Sequence, residues 1–291
     1  MVIVITGPTA VGKTKLSVEL AKRLNGEVIN ADSTQIYKSL DIATAKIKEE
    51  EKENVPHHLF DIKNIEEDYT VFDYQKDCRN KINEILSKNK TPIITGGTGL
   101  YIKASLYDYK FESENINNYD DLTNEEIYNK LKKIDENIDI HINNRKRLIR
   151  ALNYCINNNK LYSEKEKTDN LLYDTLFIGL TCERGVLYER INNRVDKMLD
   201  EGLLEEAKRI YDSNVRTKAV MTPIGYKELF PYFEGEDLNI CIEKIKQNSR
   251  KYAKRQYTWF NNQMKIKWFE TDFNNFENTV KDVLDYIKKY K

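Results

Sequence analysis

Short apolar runs alternate with longer amphipathic stretches along most of this chain. The runs MVIVIT (1–6), EVINAD (27–32), PHHLFDI (56–62), TPIITGG (91–97), TLFIGLT (175–181) and MKIKWFE (264–270) read as strands. Helical patterns lie between most of them, and that alternation predicts a parallel α/β sheet flanked by helices. The clearest helix starts near Thr70, where Val71, Tyr74, Cys78, Ile82 and Ile85 recur at steps of three and four, and Pro92 marks the next strand.

The alternation stops after Tyr107. Residues 108–173 carry no convincing strand, so a catalytic core of 1–107 and 174–291 is expected to hold a mainly helical insertion. Thr123 and Glu126 have the spacing of a capping box, and Ile127, Leu131 and Ile134 supply the apolar stripe behind it. Leu148, Leu152, Cys155 and Ile156 mark a second helix, and the polar stretch 157–170 reads as a surface loop.

With 291 residues, 40% hydrophobic, the chain is long enough to bury a large core, which excludes disorder of the whole. Its 47 basic and 47 acidic residues cancel, so any attraction to nucleic acid must come from local patches. No apolar run reaches the roughly 20 residues a spanning helix needs, and the first residues lack the features of a signal peptide, so a cytoplasmic protein is expected. Cys78, Cys155, Cys182 and Cys241 are scattered without a CxxC pair and read as reduced, packed thiols.

Directly after the first strand, Gly7, Pro8, Thr9, Ala10, Val11, Gly12, Lys13 and Thr14 match GxxxxGK[ST]. Glycines at both ends let the backbone curl so that successive N–H groups face one anion, and the next helix adds its positive end. Lys13 supplies a point charge and Thr14 a hydroxyl for Mg²⁺, so the ligand should be a di- or triphosphate. Asp32 closes the second strand, where open α/β sheets place ligands. Position alone suits both an acid facing the phosphate loop and a turn cap.

GPTAVGKT, ADSTQIY followed by DIATAK, PHHLFD, GGTGLYIKA, RINNRVDKMLDEGL, GYKEL and AKRQYTWF follow one another from Gly7 to Phe260, and the likeness they carry extends from Val2 to about Glu270. In this combination the chain resembles the bacterial tRNA dimethylallyltransferases, the tRNA isopentenyltransferase family with a P-loop NTPase-like fold. The resemblance implies transfer of a dimethylallyl group from dimethylallyl diphosphate to N6 of adenine 37 in tRNAs reading codons that begin with U. The products would be N6-dimethylallyladenosine and diphosphate, with Mg²⁺ as cofactor and a monomeric, cytoplasmic protein.

That chemistry needs a clamp for the leaving diphosphate and an acceptor for the N6 proton. By resemblance, residues 7–14 bind the diphosphate, Arg194 clamps it, Asp32 is the base and Thr9 orients the reacting groups. Without the resemblance, Arg194 and Arg190, one helical turn away, would be read as partners of acids such as Glu189 or Asp196. The resemblance also assigns contact with the tRNA anticodon stem-loop to Asp32, Ser33, Thr34, Gln35 and Thr98. The basic segment holding Lys146, Arg147, Leu148, Ile149 and Arg150, beside Arg145, is assigned likewise. A second basic helix carries Lys246, Arg250 and Lys254 beside a core stripe of Ile242, Ile245, Ser249, Tyr252 and Trp259. Trp259, Phe260 and Trp268 read as core aromatics.

Two positions depart from the family pattern: Val11 stands where serine is common, and Asn144 where aspartate is frequent. His57 and His58 point to opposite faces of a strand and cannot easily share a metal, and no Zn²⁺ is expected. A phosphoryl-transfer enzyme explains the phosphate loop but not DSTQ or GGTGLY. A prenyltransferase acting on free adenine nucleotides explains the loop but leaves the basic clusters without a use, and an RNA-binding protein with a vestigial loop leaves Lys13, Thr14 and Asp32 without one.

Overall fold

The computed structural model describes residues 1–111, 117–165 and 170–290. Its strands are β1 (Val2–Thr6), β2 (Gly26–Asn30), β3 (His57–His58), β4 (Thr91–Thr95), β5 (Thr175–Thr181) and β6 (Lys267–Glu270). All five strand pairings are parallel, in the order β3-β2-β4-β1-β5-β6. Every residue of β1 and β2 is buried, as expected of strands covered on both faces. The six apolar runs thus all form strands, but PHHLFDI contributes only two residues. Leu59 and Asp61 take left-handed backbone angles, φ 63° and 54°, which turn the chain out of the sheet.

The helices are α1 (Lys13–Arg23), α2 (Val71–Ser87), α3 (Gly99–Leu106), α4 (Asn124–Ile134), α5 (Arg145–Asn158), α6 (Arg184–Asp200), α7 (Leu203–Asp212), α8 (Lys218–Met221), α9 (Tyr226–Phe233), α10 (Leu238–Gln263) and α11 (Phe276–Tyr290). On one sheet face, Leu16 and Leu20 of α1 join Val280, Val283 and Ile287 of α11 against Ile3, Ile5 and Ile178. On the other, Tyr74, Cys78, Ile82 and Ile85 of α2 pack with residues of α3, α7, α9 and α10. The start of α2 is set by Thr70, whose hydroxyl accepts from the Asp73 N–H while the Asp73 carboxylate accepts from the Thr70 N–H. All four cysteines are free; three are buried and Cys182 is half-buried. Among the described residues no helix is long and apolar enough to cross a membrane.

The chain divides into two compact units, 1–107 with 171–291, and 108–170. The second is helical, and α4 and α5 close on Ile127, Leu131, Leu148, Ala151, Leu152 and Cys155. The Thr123–Glu126 capping box forms as expected. Ile134 and Ile156 are corrections to the expected stripes: they are 44% and 56% exposed. Ile134 ends its helix, and Ile156 sits one residue past the face that Leu148, Leu152 and Cys155 bury. The loop expected over 157–170 begins inside the last turn of α5, and its residues 166–169 lie outside the described ones.

Candidate active site

Three left-handed residues curl the loop between β1 and α1: Gly7 (φ 131°), Ala10 (φ 68°) and Gly12 (φ 97°). At Gly7 the angle and the space agree, because a methyl group there would stand 2.4 Å from the Leu180 carbonyl oxygen. The loop's carbonyls are held from outside. Arg190 Nε donates to the Ala10 carbonyl at 3.0 Å while its guanidinium lies 3.7 Å from the Phe273 ring centre, and the Thr271 hydroxyl donates to the Val11 carbonyl at 3.0 Å. Val11 itself is fully buried in the core beside Leu16, so the hydroxyl it lacks would not face a ligand.

Lys13 is half-buried, its Nζ donating to the Pro8 carbonyl at 2.7 Å. Burial, and then the Arg194 charge, pull its pKa down to about 7, against an opposing pull from Asp32. Arg194 Nη1 donates to the Thr9 hydroxyl at 3.1 Å. Among the described residues neither Arg190 nor Arg194 has an ion-pair partner; Asp196 is taken by Lys246 at 2.7 Å. Thr14 lines the same cavity, and its hydroxyl has no protein partner among the described residues.

Asp32 combines both roles its position suggested. Oδ1 accepts from the Thr34 N–H at 3.0 Å and the Thr34 hydroxyl at 2.7 Å, closing an Asx turn, and among the described residues Oδ2 has no hydrogen-bond partner. Asn30, 1% exposed, fixes the backbone: its Oδ1 accepts from the Asp32 N–H and its Nδ2 donates to the Asp32 carbonyl. Thr98 Oγ1 accepts from the Ser33 N–H at 3.0 Å, joining the ends of β2 and β4. Gln35 lines the larger of the two cavities at this site beside Asp32, and its Nε2 donates to the Thr44 and Ala45 carbonyls.

Two cavities open on these residues. The larger, about 750 Å³, is walled by the phosphate loop with Lys13, Thr14, Lys15, Arg190 and Arg194. The other, about 440 Å³, mixes apolar side chains such as Val195, Ile224 and Ile245 with Ser33, Thr34 and Tyr252. Thr9, Asp32, Thr44, Ala45, Arg194 and Met198 line both. The expected trio of Thr9, Asp32 and Arg194 therefore stands together where a cavity walled by the glycine-cornered loop and basic side chains meets a partly apolar one.

The match is to the IPP transferase family model, over residues 35–263. The chain belongs to this family. A tRNA dimethylallyltransferase from Anoxybacillus flavithermus is 50% identical over 99% of the chain and 96% of its own length. Its Bacillus subtilis counterpart is 49% identical over 92% of the chain and 90% of its own. Among solved structures, the tRNA isopentenylpyrophosphate transferase from Bacillus halodurans is 41% identical with a TM-score of 0.77, covering 99% of this chain and 95% of that one. A eukaryotic dimethylallyltransferase acting on tRNA is 32% identical with a TM-score of 0.87, covering 99% of this chain and 79% of that one. As an IPP transferase the protein is a transferase with the P-loop α/β fold, and the kinase alternative is not favoured.

In the helical unit of this IPP transferase, Lys146, Arg147 and Arg150 are exposed and Ile149 is half-buried. Leu148 is a correction: it is fully buried in that unit's core, so its side chain is not offered to a partner. Arg145 also faces inward, donating to the carbonyls of Tyr119 and Leu122. Asn144 starts α5 without a side-chain cap. The basic face expected on α10 is corrected too. Lys246 pairs with Asp196 and Arg250 donates to Asn192, both on α6, which leaves Lys254 exposed. The core face of α10 runs through Cys241, Ile245, Ala253, Gln256 and Phe260. Trp259 and Trp268 cover Gly99 and Gly179 as core aromatics. His57 and His58 are structural: His57 Nδ1 bonds the Val55 carbonyl, and His58 Nε2 bonds Glu27.

Two residues were missed. Glu206, 2% exposed, accepts from the N–H groups of Asp41, Ile42 and Ala43 and from the Tyr226 hydroxyl, pinning the DIATAK loop that walls both cavities. Gln256 reaches the phosphate loop from α10. Each is a polar residue among the apolar positions of an amphipathic helix, which is the signal that could have singled it out.

Proposed function

We propose that this protein transfers the dimethylallyl group of dimethylallyl diphosphate to N6 of adenine 37 in the anticodon loop of tRNAs reading codons that begin with U. The observation carrying this reading is the shared wall of the two cavities at Thr9, Asp32 and Arg194. The diphosphate binds in the larger cavity, where N–H groups of the phosphate loop, Lys13 and Arg194 take up the charge that grows as the allylic C–O bond breaks. The adenine enters the smaller cavity with its base out of the stack. As the N6–C bond forms, the N6 proton passes to the free Oδ2 of Asp32, and diphosphate leaves.

The donor set suits Mg²⁺ held mainly by substrate: among the described residues there is no cluster of three acidic, His or Cys side chains, and Thr14 offers one unpartnered hydroxyl. Bound there with diphosphate, Mg²⁺ supplies charge neutralisation of the leaving group. In this reading the protein works as a cytoplasmic monomer.

Purified protein incubated with labelled dimethylallyl diphosphate, Mg²⁺ and unmodified tRNA is expected to yield N6-dimethylallyladenosine on nucleoside mass analysis. ATP consumption without prenyl transfer, or prenylation of AMP in place of tRNA, overturns the reading. Replacing Lys146, Arg147 and Arg150 together by Ala is expected to weaken tRNA affinity at least tenfold and to lower the slope of log affinity against log salt by roughly 2. Pyrophosphate affinity stays unchanged, and an unaltered salt slope removes these residues from the interface.

A further inference from the structure

Helix α10 sends one polar side chain into the space between the phosphate loop and the turn after β4. Gln256 is 5% exposed and shares its helix face with Ala253 and Phe260. Its Oε1 accepts from the Thr9 N–H at 3.0 Å, and its Nε2 donates to the Gly97 carbonyl at 3.2 Å. A primary amide with one end on each of two backbone segments acts as a spacer of set length. The amide packs directly against Gly97: a methyl group there would stand 2.1 Å from Gln256 Nε2, and 3.6 Å from Asp32 Oδ2. The amide, Gly97 and the free oxygen of Asp32 are therefore neighbours.

A backbone N–H of a phosphate loop ordinarily serves the anion. At Thr9 it is committed to a neutral amide oxygen instead. What Thr9 still offers the cavities is its hydroxyl, which accepts from Arg194.

We propose that Gln256 is a positioning residue for the transfer step, a role that rests on the prenyl-transfer reading. It holds Thr9 at a set distance from Asp32, so that the Thr9 hydroxyl and Arg194 attend the end of the diphosphate where the bond breaks. The N–H groups of residues 10–14 attend the rest of the anion. Loosening the spacer then misplaces Thr9 relative to Asp32 without dismantling the anion cradle, and a displacement of about 1 Å in a reacting site costs on the order of a hundredfold in rate.

The test compares wild type with Gln256→Leu, which fills the same space and makes neither hydrogen bond. Gln256→Met, more adaptable in shape, stands in should the first variant not fold. Turnover and KM are measured with dimethylallyl diphosphate and tRNA, and binding with inorganic pyrophosphate and Mg²⁺. The expected result is a fall in kcat of about a hundredfold with the pyrophosphate Kd within about threefold of wild type. A kcat within threefold of wild type overturns the proposal, as does a loss of pyrophosphate affinity in step with kcat, which would mark a purely structural role. Wild-type protein that transfers no prenyl group overturns the underlying function instead.

Discussion

Asp32→Asn is expected to lower kcat by about a hundred- to ten-thousandfold while tRNA binding stays measurable. The asparagine variant is the informative one because of what Asp32 does besides chemistry. Its Oδ1 closes the turn onto Thr34 through two hydrogen bonds, and an asparagine oxygen can accept both. What disappears is the charge and the basic oxygen facing Gly97 and the cavities. Asp32→Ala removes the turn as well, so its loss of turnover would mix misfolding of the DSTQ segment with loss of the base. Because Asp32 also supports the charge on Lys13, whose pKa of about 7 falls further without it, the comparison is made well below pH 7, where Lys13 is largely protonated in both proteins. Turnover of Asp32→Asn within tenfold of wild type removes the proton-acceptor role.

Lys13→Met is expected to lower kcat/KM for dimethylallyl diphosphate by at least about a hundred- to a thousandfold, the scale for one donor lost from a charge-stabilising site. Its protonation makes a second, sharper test. Burial and Arg194 bring the lysine to about 7 in the free protein, so above that pH it is largely neutral. A bound diphosphate favours the ammonium form and raises the pKa again, so binding above pH 7 takes up a proton. Pyrophosphate affinity therefore falls as pH rises from 7 to 9, and calorimetry in buffers of different ionisation enthalpy records proton uptake near pH 8. Pyrophosphate titrates too, so the quantity to compare is wild type minus Lys13→Met. No difference in proton uptake between the two removes Lys13 from the anion site.

Much of this was legible along the chain. Periodicity alone located the six described strands: the four central ones are continuous apolar runs because both sheet faces are covered, while β3 and β6 at the edges are only partly buried, and a helix on a core demands a stripe. The loop after β1 was legible because its curl is a backbone conformation that favours glycine at set positions, Gly7 and Gly12, although Ala10 enters the left-handed region without one. Charged helix faces were read less well. Lys246 and Arg250 looked like a solvent-facing basic row, yet α6 covers them and supplies Asp196 and Asn192. Sequence spacing says which residues share a face of a helix, not what stands opposite that face.

Local order in the sequence thus determined the elements, the curled glycine-cornered loop after β1 and an acid at the end of the second strand, since each depends on near neighbours. The tertiary structure alone decided that Thr9, Asp32 and Arg194 meet at one junction, drawn from two loops and a helix far apart in the chain. It also decided that the Leu148 side chain is buried in the helical unit's core, and that Glu206 and Gln256 brace the site. The physical reason is the same in each case. A side chain's role is set by the groups it meets across the fold, and the polar partners that satisfy a buried carboxylate or amide carry no periodic mark in the sequence.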